Sequence, residues 1–134
     1  SPTLAMGGFA PTDQNVATYN YLVEQMNRLA LSHLQVVKAP NDLTGTPVAA
    51  LQDTVGYFRA RFEGTLIANF GFNKTSATGV IESGDADLVS FGKLFISNPD
   101  LVRRLREDLP LSESAPETYY QGEAQGYVDY PPAA

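Results

Sequence analysis

Cysteine is absent from this sequence, which excludes disulfides, thiolate metal sites and cysteine nucleophiles. Histidine occurs once, at His33, so no histidine-rich metal set can be built. His33 precedes a short apolar run, near the N-terminal end of a predicted strand, whereas barrel enzymes place their chemistry at the C-terminal ends. No Ser–His–Asp arrangement follows from it, and we read it as structural. Positive charge is scarce: nine Lys and Arg against 15 Asp and Glu leave a net charge of −6. That argues against nucleic acid, which needs a basic patch to displace phosphate counterions. Local phosphate binding stays open, because one lysine and a few backbone N–H groups suffice. No run approaches the roughly 18 apolar residues of a membrane span. No signal peptide is visible, so a soluble, cytoplasmic protein is expected. Ser1-Pro2 lacks an initiator methionine, and the chain is expected to begin inside something longer.

Hydrophobic residues make up 43% of the 134 positions, as in a globular protein rather than a disordered one. This length is one domain's worth, able to bury roughly two-thirds of its unfolded surface if self-contained. Three helix–strand units recur along it. Thr12 or Asp13 can cap a helix with apolar positions Val16, Tyr19, Leu22, Val23, Met26 and Leu29, the spacing of a one-sided surface helix. Leu34–Val37 reads as a buried strand. Val48, Leu51, Val55, Phe58 and Phe62 form a second helical stripe, followed by a strand at Thr65–Ala68. A short helix over Ser76–Glu82 carries Ala77, Val80 and Ile81, and Gly84 ends it, as C-terminal glycines do. A strand at Leu88–Phe91 follows. The last helix starts near Pro99, with Asn98 as N-cap, and buries Leu101, Val102 and Leu105.

Strands alternating with helices imply βαβ units and a parallel sheet. The strands lack polar alternation, so both faces are expected to be covered. Three strands cannot close a barrel, and the fold reads as one missing its other half. From Pro110 onward the composition shifts to Ser, Pro, Gly, Glu and Tyr. We read 1–109 as a partial β/α barrel and 110–134 as an irregular tail covering it. That tail holds Tyr119, Tyr120, Tyr127 and Tyr130.

Two strand ends could hold an anion. Gly92 allows close backbone approach and Lys93 adds a cation beside it. The loop Asn69-Phe70-Gly71-Phe72-Asn73 precedes a helix start, so it is either an ordinary βα turn or a set of N–H groups aimed at a phosphate. Barrel enzymes often place a phosphate on the loops after their last two strands, which favours the pair over either alone. Asp85 with Asp87, and Glu107 with Asp108, read as solvated faces rather than catalytic carboxylate pairs. The tail tyrosines either pack over apolar surface or offer a phenol to a substrate or flavin.

The opening SPTLAMGGF, the helix YNYLVEQMNRL, the strand LIANFGF, the block SGDADLVSFGKLFISNPDLVRRL and the tail TYYQGEAQGYVDYP resemble the C-terminal half of the Old Yellow Enzyme family. These are FMN-dependent ene-reductases of the N-ethylmaleimide reductase and xenobiotic reductase type. The resemblance implies a TIM (β/α)8 barrel, of which this chain supplies about strands 6–8 with their helices. It implies FMN as cofactor and NAD(P)H as electron donor, with a hydride passed from the flavin to an activated alkene such as an enone. Asn69, Phe70 and Gly71 would contact the FMN phosphate through their backbone, and Gly92 and Lys93 would complete the site. Lys93 stands where the family usually has Arg; it keeps the charge but loses the bidentate fork, so binding is expected to be weaker or differently oriented. Tyr120 matches the tail tyrosine that faces flavin and substrate.

The family's flavin-ring contacts, its substrate-anchoring His/Asn or His/His pair, its tyrosine proton donor and the Arg at the flavin's pyrimidine edge belong to the first half of the barrel. None has a counterpart here, so no catalytic residue and no metal ligand is assigned to this chain. Two functions compete. One is the FMN-phosphate-binding portion of an NAD(P)H:flavin oxidoreductase, partnered by the missing N-terminal half-barrel. The other is a non-catalytic half-barrel module that buries its sheet edges against a second copy of itself. A stand-alone phosphosugar-binding protein ranks below both, because the tail match is particular to the flavin family.

Overall fold

A computed structural model describes Thr3, residues 10–121 and residues 123–134. Of the opening SPTLAMGGF only Thr3 falls among them, so that part of the resemblance lies outside the described residues. The chain divides into two compact units, Ser1–Ser90 and Phe91–Ala134.

In the first unit, α1 (Gln14–Arg28) leads to β1 (His33–Val37), α2 (Thr54–Arg59) to β2 (Thr65–Asn69), and α3 (Lys74–Glu82) to β3 (Leu88–Ser90). The strands form a parallel three-stranded sheet in the order β1-β2-β3. The register sets His33 opposite Thr65 and Ile67 opposite Leu88. Three βα units in a row give this sheet because a parallel neighbour can be reached only through a crossover. The expected strands are all present, β1 starting one residue early, β2 ending one residue late and β3 one residue early.

The second apolar stripe is buried throughout, with Val48 and Leu51 at 0% and Phe58 and Phe62 at 2% exposure. It is not one helix, however. A 3-10 turn at Ala49–Leu51 comes first, and Asp53 then starts α2 by accepting a hydrogen bond from Gly56 N–H. Burial follows the apolar spacing, while the backbone breaks where a capping residue interrupts it. Around these residues cluster Val23, Val36, Leu66, Ala68 and Ala86. The remaining side chains of the predicted stripes divide. Leu22, Leu29 and Ile81 are exposed, Leu29 because it caps the end of α1. Full cover on both strand faces is also not found: Leu88 is 52% exposed, and only Val36 of β1 is buried.

The N-terminal ends of the strands are tied by polar groups. Arg59 pairs with Asp87 at 2.8 Å and donates to the carbonyls of Phe62 and Gly64. Asp87 also accepts from Leu66 N–H at 2.7 Å, so it is a strand-end tether rather than a solvated face. His33, at the start of β1, is exposed and shares a hydrogen bond with the adjacent Ser32 at 2.9 Å. Asp85 accepts from Ser83.

The second unit holds two short helices, α4 (Lys93–Ser97) and α5 (Leu101–Glu107), and the tail. Sequence reasoning missed α4. It also misplaced the cap of α5: Asp100 holds the N-cap position, and Asn98 is fully buried instead. The Asn98 amide donates to the carbonyls of Leu94 and Ser112 and accepts from Ser112 N–H. Leu101 is buried as expected, but Val102 is 66% exposed and Arg104 takes the buried position. Arg104 donates to the carbonyls of Pro110 and Pro131 and pairs with Asp100 at 2.7 Å. Asp100 accepts in turn from Ala133 N–H. One ion pair therefore fastens both ends of the tail to α5.

The hydrogen bond from Arg104 holds the Asp100 carboxyl below its ordinary pKa, aided by the Ala133 N–H and against the opposing effect of partial burial. A depressed carboxylate stabilises the folded state above its unfolded value, about 3.9, and loses that contribution as pH falls through the lower folded value. The tail is therefore expected to become protease-sensitive only in acid below about pH 4. Cleavage after Pro110 at an unchanged rate across that range would contradict the latch.

Candidate anion and cofactor site

The loop after β2 is unusual in its backbone. Phe70 and Gly71 have successive φ angles of +82° and +72°, a region that a phenylalanine seldom enters and that glycine adopts freely. Among the described residues the N–H groups of Phe70, Gly71 and Phe72 donate to no protein group. Asn69 holds the start of the loop to β3, its amide donating to the carbonyl and hydroxyl of Ser90 at 3.0 and 2.8 Å. Asn73 ends the loop as the N-cap of α3 in a reciprocal capping box with Ser76. The result is a fixed turn with three consecutive open amides at the positive end of a helix, an arrangement that suits an anion. Gly71→Ala is expected to lower stability by roughly 1–2 kcal/mol from left-handed backbone strain. An added Cβ would meet only Lys38, at 3.8 Å or more, so steric clash contributes nothing. An unchanged denaturation midpoint would show that the loop relaxes instead.

In the second unit, Gly92 is the N-cap of α4 and Lys93 its first residue. Lys93 is exposed and has no ion-pair partner among the described residues. It borders a hollow of about 540 Å³ whose wall includes Phe95, Ile96, Tyr119, Tyr120 and Tyr127. Three of the tail phenols serve the tail's own backbone or side chains. Tyr119 bonds with Ser114, Tyr127 accepts from Tyr120 N–H, and Tyr130 accepts from Ala115 N–H. Tyr120 is different: it is 97% exposed with φ of +62°, so its ring is presented rather than packed. Gly126, at φ +77°, lies so close to Thr118 that a Cβ there would fall 2.1 Å from its hydroxyl. The turn carrying Tyr127 is held by the Gly126 N–H, which donates to the Asp129 carboxylate at 2.8 Å.

Of the sequence-predicted residues, Asn69, Phe70 and Gly71 fall together in the first unit. Gly92, Lys93 and Tyr120 fall together around the hollow of the second. Glu107 pairs with Arg103 and Arg106, and those hydrogen bonds, Arg106 foremost, hold its pKa down; it is an ion-paired surface group. No group of three His, Asp or Glu side chains able to hold a metal occurs among the described residues. No helix among them is long and apolar enough to cross a membrane. Lys38 escaped the sequence reading, although it directly follows the predicted strand Leu34–Val37, at its C-terminal end.

The chain matches no model of a protein family. It is 33% identical over 112 residues to 12-oxophytodienoate reductase 2 of Arabidopsis thaliana, covering 83% of this chain and 30% of that protein. Its fold is similar to that of the old yellow enzyme from Trypanosoma cruzi, with a TM-score of 0.79 and 33% identity over 92% of this chain and 32% of the other. Morphinone reductase in complex with tetrahydroNAD gives a TM-score of 0.84 and 32% identity, covering 99% of this chain and 34% of that enzyme. These structures are TIM-barrel enzymes, and the chain spans about a third of the length of the relatives it matches. Matched over 83% of its length in sequence and over 92–99% in fold by such proteins, the chain belongs to the Old Yellow Enzyme family.

Proposed function

We propose that this chain is the FMN-phosphate-binding, C-terminal portion of an NAD(P)H-dependent ene-reductase. The observation that carries this reading is the run of open amides at Phe70, Gly71 and Phe72, at the C-terminal end of β2. A phosphate monoester needs several donors and little bulk, and Gly71 leaves the space free. β1, β2 and β3 would be the sixth, seventh and eighth strands of the complete barrel. Asn69, Phe70 and Gly71 would hold the phosphate by backbone contacts, joined by Gly92 and by the ammonium of Lys93. Tyr120 would face the flavin or substrate with its exposed ring. FMN, when bound, would supply hydride transfer from a nicotinamide to an activated alkene. This chain's own residues bind and orient; none of them moves a proton or a hydride. Morphinone reductase with tetrahydroNAD and the 12-oxophytodienoate reductases support a nicotinamide donor and an enone-type acceptor.

A second reading rests on the outer edge of β1, which no strand pairs among the described residues. Beside it Leu22, Met26, Leu34, Val36 and Phe58 line an apolar groove of about 250 Å³. An unpaired parallel edge demands a partner, either the N-terminal part of the barrel or a second copy of the chain in a non-catalytic assembly. Native mass of the isolated material, read with its visible flavin absorbance, separates the two. A yellow particle containing the remaining strands supports the reductase. A colourless self-paired particle supports the module.

A further inference from the structure

We infer that Lys38 is a cationic partner of the phosphate monoester at the Asn69–Gly71 loop, an assignment that rests on reading that loop as a phosphate cradle. Lys38 is the first residue after β1, and its N–H donates to the carbonyl of Asn69, the last residue of β2, at 2.9 Å. The backbone thus brings Lys38 to the same sheet end as the open amides. Its Nζ lies 5.0 Å from the centroid of the Phe72 ring. This cation–π contact favours an ammonium over Phe72, which carries the last open amide of the loop. Nζ is also 3.8 Å from the point where a Cβ on Gly71 would stand. The ammonium therefore borders the space that the glycine leaves empty.

No carboxylate pairs with Lys38 among the described residues, so its charge is not already neutralised. A phosphate monoester carries close to two negative charges at neutral pH. Three amides supply donors but no net charge, and a single lysine leaves part of that charge uncompensated. Lys38 supplies a further cation from the C-terminal end of β1, at the same sheet end as the open amides. Its ammonium donates to a phosphate oxygen while the alkyl stem and Phe72 keep it in place.

The test titrates FMN and riboflavin, which differ by the phosphate alone, into the protein as isolated and into its Lys38→Gln and Lys38→Arg variants. The wild type is expected to bind FMN more tightly than riboflavin. Lys38→Gln is expected to lose about tenfold in FMN affinity with riboflavin affinity unchanged, and Lys38→Arg to keep most of the FMN affinity. A Lys38→Gln variant that retains the full preference for FMN overturns the role of Lys38 and leaves the cradle standing. Equal weakening of both flavins also overturns it, assigning the lysine to support of Phe72. A wild-type protein that binds both flavins alike, or neither, overturns cradle and lysine together.

Discussion

Phe58→Ala removes about 3–5 kcal/mol of stability, most of what a small domain possesses. Phe58 is 2% exposed, at the centre of the first unit's core. Its ring meets Tyr57 edge-on at 5.5 Å between centroids, a geometry that adds to the burial itself. Neighbours such as Leu51, Val55 and Leu66 are themselves buried, so the void has little means of collapse. Tyr57 is held separately by a hydrogen bond from its hydroxyl to Asn20 and by Arg61 stacked 3.6 Å from its ring. It therefore cannot swing into the gap without losing both. Urea unfolding of the two proteins measures the difference. A loss below about 1 kcal/mol would mean that the core is not packed around this side chain.

With Lys93 proposed as a cation at the FMN phosphate, Lys93→Ala is expected to weaken FMN binding by about tenfold to a hundredfold, the range for losing a charged donor to a phosphate. Riboflavin affinity stays constant, because the missing contact is to the phosphate. Lys93→Arg equals or exceeds the wild type, since a guanidinium can grip two phosphate oxygens at once. Lys93 is exposed and unpaired by any carboxylate among the described residues, so neither substitution disturbs an ion pair that holds the fold. Flavin fluorescence titration gives the comparison. Unchanged FMN affinity in Lys93→Ala removes Lys93 from the site.

The sheet was legible because its strands are short apolar runs separated by crossover-length segments. Three βα units in sequence leave few topologies to choose from. Stripe residues such as Val48, Leu51 and Phe62 announced their burial by spacing alone. The second unit was harder to read. Arg104 and Asn98 are buried there because carbonyls of Pro110, Ser112 and Pro131 converge on them. No periodicity signals partners so distant in the chain, and a buried arginine in a short helix looks like a solvated one. Asn98-Pro99-Asp100 carries two residues able to cap, and local rules cannot tell which one the tail recruits elsewhere. Of the candidate binding residues, Asn69–Gly71 in the first unit and Gly92-Lys93 in the second were each visible as glycine-bearing strand ends. The positive φ of Phe70 was not, because nothing in a phenylalanine side chain asks for it.

The parallel register has a kinetic consequence. Pairing residue 33 with 65 and residue 67 with 88 cannot begin until a whole helix-bearing segment has looped back. No hairpin is available to start the sheet cheaply, so the entropy of closing each loop is spent before its contacts repay it. Folding of the first unit should therefore be slower than that of a helical bundle of equal size. Its rate should depend most on residues such as Ala68 in the middle strand, which pairs with Val36 on one side and Val89 on the other.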